Sequence, residues 1–529
     1  MSLPIGNSTI PLLAITSAAT VTFLIARNMF GHNPHEPPLA PSSIPIIGHV
    51  VGLSRSSFNY YTELRWTDGN SKQIDAPIFT ISLPGQKMYI VTKPELIQQV
   101  QKQPRTLAFP PIEAKFATTV IGLSKEGQAV LARNLNGDEG DHGLSIETYA
   151  AMRAALHPGP DLDDMNRAML AEINKSLDDL APGNKKKQFG MFAWLRDNLT
   201  LATTRAIYGP LNPFDDKEIR DAFWEFEAGL MQILVGFVPS ITARKPVSAR
   251  AKAVRAFEKY YKEGGIDKAS AYARNRHEVE INNDLPAEDI ARSSVGGTIA
   301  LLVNTVPSVF WALLHLHVHP GLLGQIRDEV DTCTRTDGAT KIIDMASLKE
   351  KCPLLLSAYQ EVLRHRAMGA SVREVMEDTQ LGGFLLKKGA MLQMPSRVIH
   401  TDESLWGSTE YNPRRFLESE KRNRPRDVCF RAFGGGKTLC PGRHFATNEI
   451  LAVVALWIAR FDMRPVGGEW KMPTTANTNV AAAVMGPDED VEVEISTREG
   501  MEGVGWAVKL EASDKTFAIV TEDVVKEQE

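Results

Sequence analysis

From Ser8 to Met29 nearly every position is apolar, and Arg27 is the only charge in the run. About 20 apolar residues cross a bilayer core, so the run predicts one N-terminal transmembrane helix. A cleaved signal peptide needs a basic segment ahead of its apolar stretch, and residues 1–9 contain no Lys or Arg. With the basic residue after the run, positive-inside logic places the remainder of the chain in the cytosol. Prolines then crowd the stretch from Pro37 to Pro45, which predicts a stiff, extended linker. Farther on the pattern changes to helical periodicity, from Glu147 to Asp179 and again from Asp215 to Arg276. Strand-like runs are short: Ile78 to Leu83, Met88 to Thr92 and Val491 to Ile495.

The longest predicted helix starts near Pro286, a favoured first-turn position, and reaches His319 before Pro320-Gly321. About 34 residues at the helical rise span roughly 50 Å. From Val295 to Leu316 it is apolar almost all round, the pattern of a core helix. A second membrane span is the alternative, opposed by Gly296-Gly297, Asn304, Pro307 and the terminal histidines. Pro307 cannot donate a hydrogen bond and frees the carbonyl one turn back, that of Val303, so a kink is expected there. No long-period repeat occurs. The expected organisation is an anchor over 1–30, a hinge over 31–48 and one catalytic domain over 49–529. The expected fold class is mainly α with small β-sheets.

Composition narrows this picture in two respects. The net charge of −5 over 529 residues gives no support to a nucleic-acid partner. The four cysteines, Cys333, Cys352, Cys429 and Cys440, are too few for a disulfide framework and fit a reducing compartment.

Candidate chemistry concentrates in the stretch from Phe433 to Arg443, which contains Gly434-Gly435-Gly436, Cys440 and Gly442. Glycines let backbone N–H groups come close to a sulfur ligand. His444 to Arg460 reads as an apolar helix, which sets Cys440 near a helix N-terminus, where the dipole favours a thiolate. A cysteine thiolate on haem iron pushes electron density onto the metal and favours O–O cleavage. Two plainer readings compete: an inert buried thiol, and a phosphate loop, which fails because Arg431 stands where that motif needs glycine.

The pattern Phe433-x-x-Gly436-x-x-x-Cys440-x-Gly442 resembles the haem-binding signature of the cytochrome P450 family. The resemblance implies haem b with Cys440 as the iron ligand, and Phe433, Gly434 and Gly442 shaping the loop that holds it. It also implies NADPH-derived electrons from a partner, NADPH–cytochrome P450 reductase, and a single-pass protein of the endoplasmic reticulum membrane. Asn304-Thr305 is similar to the family's oxygen-activation pair, in which an acid usually precedes the threonine. The resemblance makes Thr305 and Asn304 the expected catalytic residues. An amide is neither a general acid nor a base, so Asn304 can order water or bond to substrate. The plainer reading of this stretch is a kink with locally satisfied side chains. Asn-Thr followed by Pro307 and Phe310-Trp311 resembles the branch containing sterol 7α-hydroxylases and prostacyclin synthase.

Other elements match the family in order. Glu361-x-x-Arg364 resembles its Glu-x-x-Arg pair, and Arg415 stands at its loop arginine, together a brace for the proximal side of the haem. Arg373 corresponds to an arginine that reaches a haem propionate, whereas Thr438 replaces the Arg or His that many relatives use for the same purpose. His400 reads as a structural histidine. A basic run, Lys421, Arg422, Arg424, Arg426, Arg431, Lys437 and Arg443, suggests a solvated face or a docking surface for an acidic electron donor. By analogy, Phe109 to Ile121, Leu301 to Thr305, Met368 to Val372 and Asn477 to Ala483 contact substrate; they are mostly apolar, which implies a lipophilic compound. The expected activity is monooxygenation of a sterol, terpenoid or other secondary metabolite. The alternatives are a haem-thiolate isomerase or dehydratase needing no external electrons, and a membrane haem carrier.

Overall fold

A computed structural model describes residues 31–42, 48–56, 59–65, 76–180, 186–235, 242–479 and 482–510. The expected transmembrane helix lies outside these residues, as do 43–47 of the hinge. The chain forms two compact units, one of Met1–Ala108 with Ser371–Pro395 and one of Phe109–Ala370 with Ser396–Glu529.

The small unit is built on a sheet of five strands, in the order Ile78–Leu83, Gln86–Val91, Met391–Pro395, Ala370–Val375, Leu107–Ala108. Pro84-Gly85 joins the first two strands as a tight hairpin, with Leu83 opposite Gln86. Gly85 has φ +74, a backbone region that glycine occupies without strain. The hinge is more than a spacer at its described end. Thr80 N donates to Pro38 O and Ala40 N to Thr80 O, each at 2.8 Å, so this stretch docks along the sheet as an extra edge. An edge is where prolines can be accommodated in a sheet. Glu36, buried just upstream, accepts from Lys87 Nζ (2.9 Å) and Tyr89 Oη (2.7 Å).

The large unit is helical, with small sheets at its margin. Periodicity located its helices well: Leu144–Leu156, Pro160–Asp178, Lys217–Ala228, Arg244–Lys262 and Ala271–Asn282. The strands expected at 88–92 and 491–495 are Gln86–Val91 and Glu492–Thr497. Beyond Thr497, Gly505–Lys509 pairs in parallel with Thr340–Asp344. Trp506 is buried there, and its carbonyl accepts from Asn174 Nδ2 at 2.7 Å.

The long apolar helix runs from Ala287 to Val318 with the expected kink, its regular segments Ala287–Leu302 and Thr305–Val318 meeting at Val303-Asn304. The physical reason is Pro307. By restarting the helix at Thr305, the chain places the proline in a first turn, where its missing N–H has no intrahelical partner to lose. Every residue from Thr305 to His317 is buried. Over 287–318 the helix is apolar and long enough to cross a membrane, yet most of its apolar window is buried inside the protein. It is a core helix.

Helix Arg443–Arg460 is likewise buried along nearly its whole length and packs on Pro160–Asp178 and Thr305–Val318. It carries Glu449 into the core. One carboxyl oxygen accepts from Thr203 Oγ1 at 2.5 Å; the other has no partner among the described residues. Burial pushes this carboxyl up from its ordinary 4.5 to about 8, against the opposing hydrogen bond of Thr203. A folded value above the unfolded one stabilises fully below pH 4.5, and that stability is lost as pH rises through the window up to about 8. Glu449→Gln is therefore expected to raise the melting temperature by a few degrees at pH 8 and to change it little at pH 4.5, checked by thermal unfolding at both.

Candidate active site

In the loop before helix Arg443–Arg460, the chain reverses through Gly434 (φ +79) and Gly436 (φ +61), conformations that side chains rarely adopt. Cys440 N donates to Phe433 O at 3.0 Å, closing the loop. Arg443 Nη1 donates to Cys440 O at 3.1 Å. Cys440 is half-buried, whereas Cys333, Cys352 and Cys429 are buried. Burial pushes its thiol up, while the backbone N–H groups of Gly442 and Arg443 and the Arg443 charge act in the opposite direction. A Cβ at Gly442 would meet no atom within 4 Å, so the backbone two residues after Cys440 is not packed against another segment.

These residues fit a haem. The sulfur has backbone donors that suit a thiolate, from Gly442 and Arg443. Among the described residues no three His, Cys, Asp or Glu side chains converge to hold a metal ion. A metal at Cys440 would thus need to bring its other ligands with it, as an iron porphyrin does.

Behind this loop lies a buried charge network. Glu361 accepts from Arg364 Nε (2.8 Å) and Nη2 (2.7 Å), from Arg415 Nε (3.1 Å) and from Asn412 N (2.9 Å). Both guanidiniums also donate to loop carbonyls, Arg364 to His400 O and Arg415 to Trp406 O, each at 2.5 Å. His400 extends the chain of bonds. Its Nε2 accepts from Arg431 N at 2.8 Å, which leaves Nδ1 as the donor to Arg364 O at 3.1 Å. The structural reading of His400 is correct, and its partners are the two elements it joins. Burial and the neighbouring Arg364 charge hold the ring neutral, well below its ordinary value.

Across the unit, Thr305 is buried at the restart of the broken helix, and its Oγ1 donates to Leu301 O at 3.2 Å. Asn304 turns away from the helix. Its Oδ1 accepts from Ala483 N (2.7 Å) and Val484 N (3.2 Å). Upstream, a Cβ at Gly296 would lie 3.1 Å from Ile121 Cδ1, so the glycine allows the segment ending at Ile121 to pack closely on this helix. Arg373 belongs to the small unit, where it is buried and donates to Val372 O at 2.7 Å.

The chain belongs to the cytochrome P450 family. The family model described as Cytochrome P450 matches residues 37–490. Cytochrome P450 monooxygenase nodJ of Hypoxylon pulicicidum is 34% identical over 524 residues, covering 96% of this chain and 99% of that one. Cytochrome P450 7B1 of Mus musculus is 25% identical over 488 residues, covering 86% and 90%. The solved structure of retinoic acid bound cyanobacterial CYP120A1 shares the fold, with a TM-score of 0.65 at 18% identity, over 87% of this chain and 100% of that chain. The protein is thus an oxidoreductase of the monooxygenase family, and the family implies a haem.

Two features were missed in the sequence. Arg153, on helix Leu144–Leu156, donates to Lys437 O at 2.5 Å within the cysteine loop; it reads locally as an ordinary helical arginine near Tyr149. Arg431, assigned to a basic surface run, is buried against the His400 network. Lys421, Arg422, Arg426 and Lys437 are exposed. Removing one member of a buried ion pair leaves uncompensated charge, at a cost of about 4 kcal/mol. Glu361→Gln is expected to destabilise the protein by that amount in urea unfolding, whereas Glu418→Gln, on an exposed pair with Lys421, should cost less than about 1 kcal/mol.

Proposed function

We propose that this P450 hydroxylates or otherwise oxidises a lipophilic small molecule, a sterol, terpenoid or other secondary metabolite. Electrons come from NADPH through a partner reductase. The observation that carries the reading is the Cys440 sulfur, set before helix Arg443–Arg460 with the backbone N–H groups of Gly442 and Arg443 acting on it.

In this reading Cys440 would hold the iron of haem b through its sulfur, and Phe433, Gly434 and Gly442 would shape the loop around it. Arg373 serves a propionate. When bound, the haem supplies the activation of O₂, one oxygen atom entering the substrate and the other leaving as water. Thr305 exchanges its bond to Leu301 O for one that steers water and a proton on the oxygen side. Asn304, its Oδ1 engaged, contributes only the donors of its amide nitrogen. The exposed cations Lys421, Arg422, Arg426 and Lys437 receive the electron donor by complementary charge. The apolar run from Ser8 to Met29 supports a single-pass anchor in the endoplasmic reticulum membrane, with the catalytic domain in the cytosol. The name of one relative bears on substrate class: 25-hydroxycholesterol 7-alpha-hydroxylase of Rattus norvegicus, at 25% identity, acts on a sterol.

Asn304 in place of an acid favours a second reading, rearrangement or dehydration of an oxygenated substrate without external electrons. NADPH-dependent uptake of O₂ with a lipophilic substrate supports the first; turnover of an endoperoxide or hydroperoxide without NADPH supports the second. The reduced, CO-treated protein should show the red-shifted Soret band of sulfur ligation, and Cys440→Ser should lose it. A wild-type spectrum without that band would overturn the assignment of Cys440.

A further inference from the structure

The broken helix and the segment near residue 483 meet in an arrangement that the oxidation reading does not require. Ala483 O accepts from Met368 N (2.8 Å) and Gly369 N (3.1 Å), and Met485 N donates to Arg366 O at 3.0 Å. Ala367 and Val484 form an antiparallel bridge. A Cβ at Gly369 would lie 2.8 Å from Ala483 Cβ, so the two backbones are as close as glycine allows. One edge of residues 482–485 is therefore paired with the stretch after Arg364.

The other edge is held by side chains of the helix. Asn304 Oδ1 accepts from Ala483 N and Val484 N. Trp311 Nε1, two turns farther along, donates to Met485 O at 2.6 Å. Arg366 lies over the Trp311 ring at 3.6 Å. Since backbone N–H groups only donate, the Asn304 oxygen must face them, and the orientation of the amide is determined. No proton-exchanging group is needed for this, only an acceptor of the right length at the helix break.

We propose that Asn304 is a positioning residue, whose side-chain oxygen pins residues 482–485 to the break in the helix and so sets one wall of the site. The inference builds on the reading of Thr305 and its surroundings as the oxygen side.

The test is hydrogen exchange of the haem-loaded full chain, read amide by amide by fragmentation mass spectrometry. In the wild type, Ala483 and Val484 should exchange at least about tenfold more slowly than unprotected amides. Asn304→Ala should erase most of that protection, with the change confined to 482–485 and their partners at 366–369. Asn304→Asp keeps an oxygen acceptor and should restore it. The inference is overturned if the wild-type amides are unprotected, if Asn304→Ala leaves them protected, or if Asn304→Asp behaves as Asn304→Ala. The CO spectrum of the same samples reports separately on the cysteine. Loss of the sulfur-type band in the wild type, with the exchange pattern intact, would remove the haem assignment and leave the clamp standing.

Discussion

A carboxylate shut away from water has to find donors inside the protein, and Glu361 finds four, from two arginines and one backbone amide. Neither guanidinium is used up by this. Each reaches on to loop carbonyls at Trp406, Ser408, Glu410 or His400. His400 then passes the connection to Arg431 N, two residues before Phe433. Fully satisfied buried networks of this kind give rigidity more than raw stability. The rigidity is placed where it matters, beneath a cysteine loop that has almost no side-chain core of its own.

The core of the large unit is held in a different way. Its central helix gives up regularity at Val303-Asn304, and side-chain hydroxyls bond to carbonyls on either side. Thr305 Oγ1 donates to Leu301 O, and Ser308 Oγ to Asn304 O at 2.7 Å. The break costs little because Pro307 had already made regular bonding impossible one turn back. The cysteine loop is backed by charge and the central helix carries a backbone irregularity, and the two have different tolerances to change. Replacing a partner in the charge network leaves an ion unpaired, whereas replacing a partner at the break releases one segment.

Much of this was legible along the chain. Period-3.6 patterning found the long helices because each has a stripe or a full circumference to bury. The cysteine loop was legible for a different reason: glycines at positive φ and a cysteine at constant spacing are local requirements of backbone geometry. Less legible were features that depend on residues far apart in sequence. Nothing near Arg431 distinguishes it from Arg422 or Arg424, yet Arg431 is buried on His400 while Arg422 is exposed. Arg153 looks like any arginine on a helix until the cysteine loop is folded against it. The strand Gly505–Lys509 has too short a pattern to announce itself, and its place beside Thr340–Asp344 is set by Trp506 finding a core.

Sequence alone determined the family, the mainly helical fold with small sheets, the iron-ligand candidate and the presence of a perturbed turn at Asn304-Thr305. Each of these is written in contiguous residues, in a spacing or in a proline. Tertiary structure decided where the turn departs from regular helix, at Val303-Asn304, that the hinge docks on Thr80, and that the Asn304 oxygen belongs to Ala483 and Val484. A side chain with both a donor and an acceptor has no preferred partner until the fold presents one. For Asn304 the fold presents two backbone N–H groups nearly 180 residues away, and donors can be met only by the oxygen.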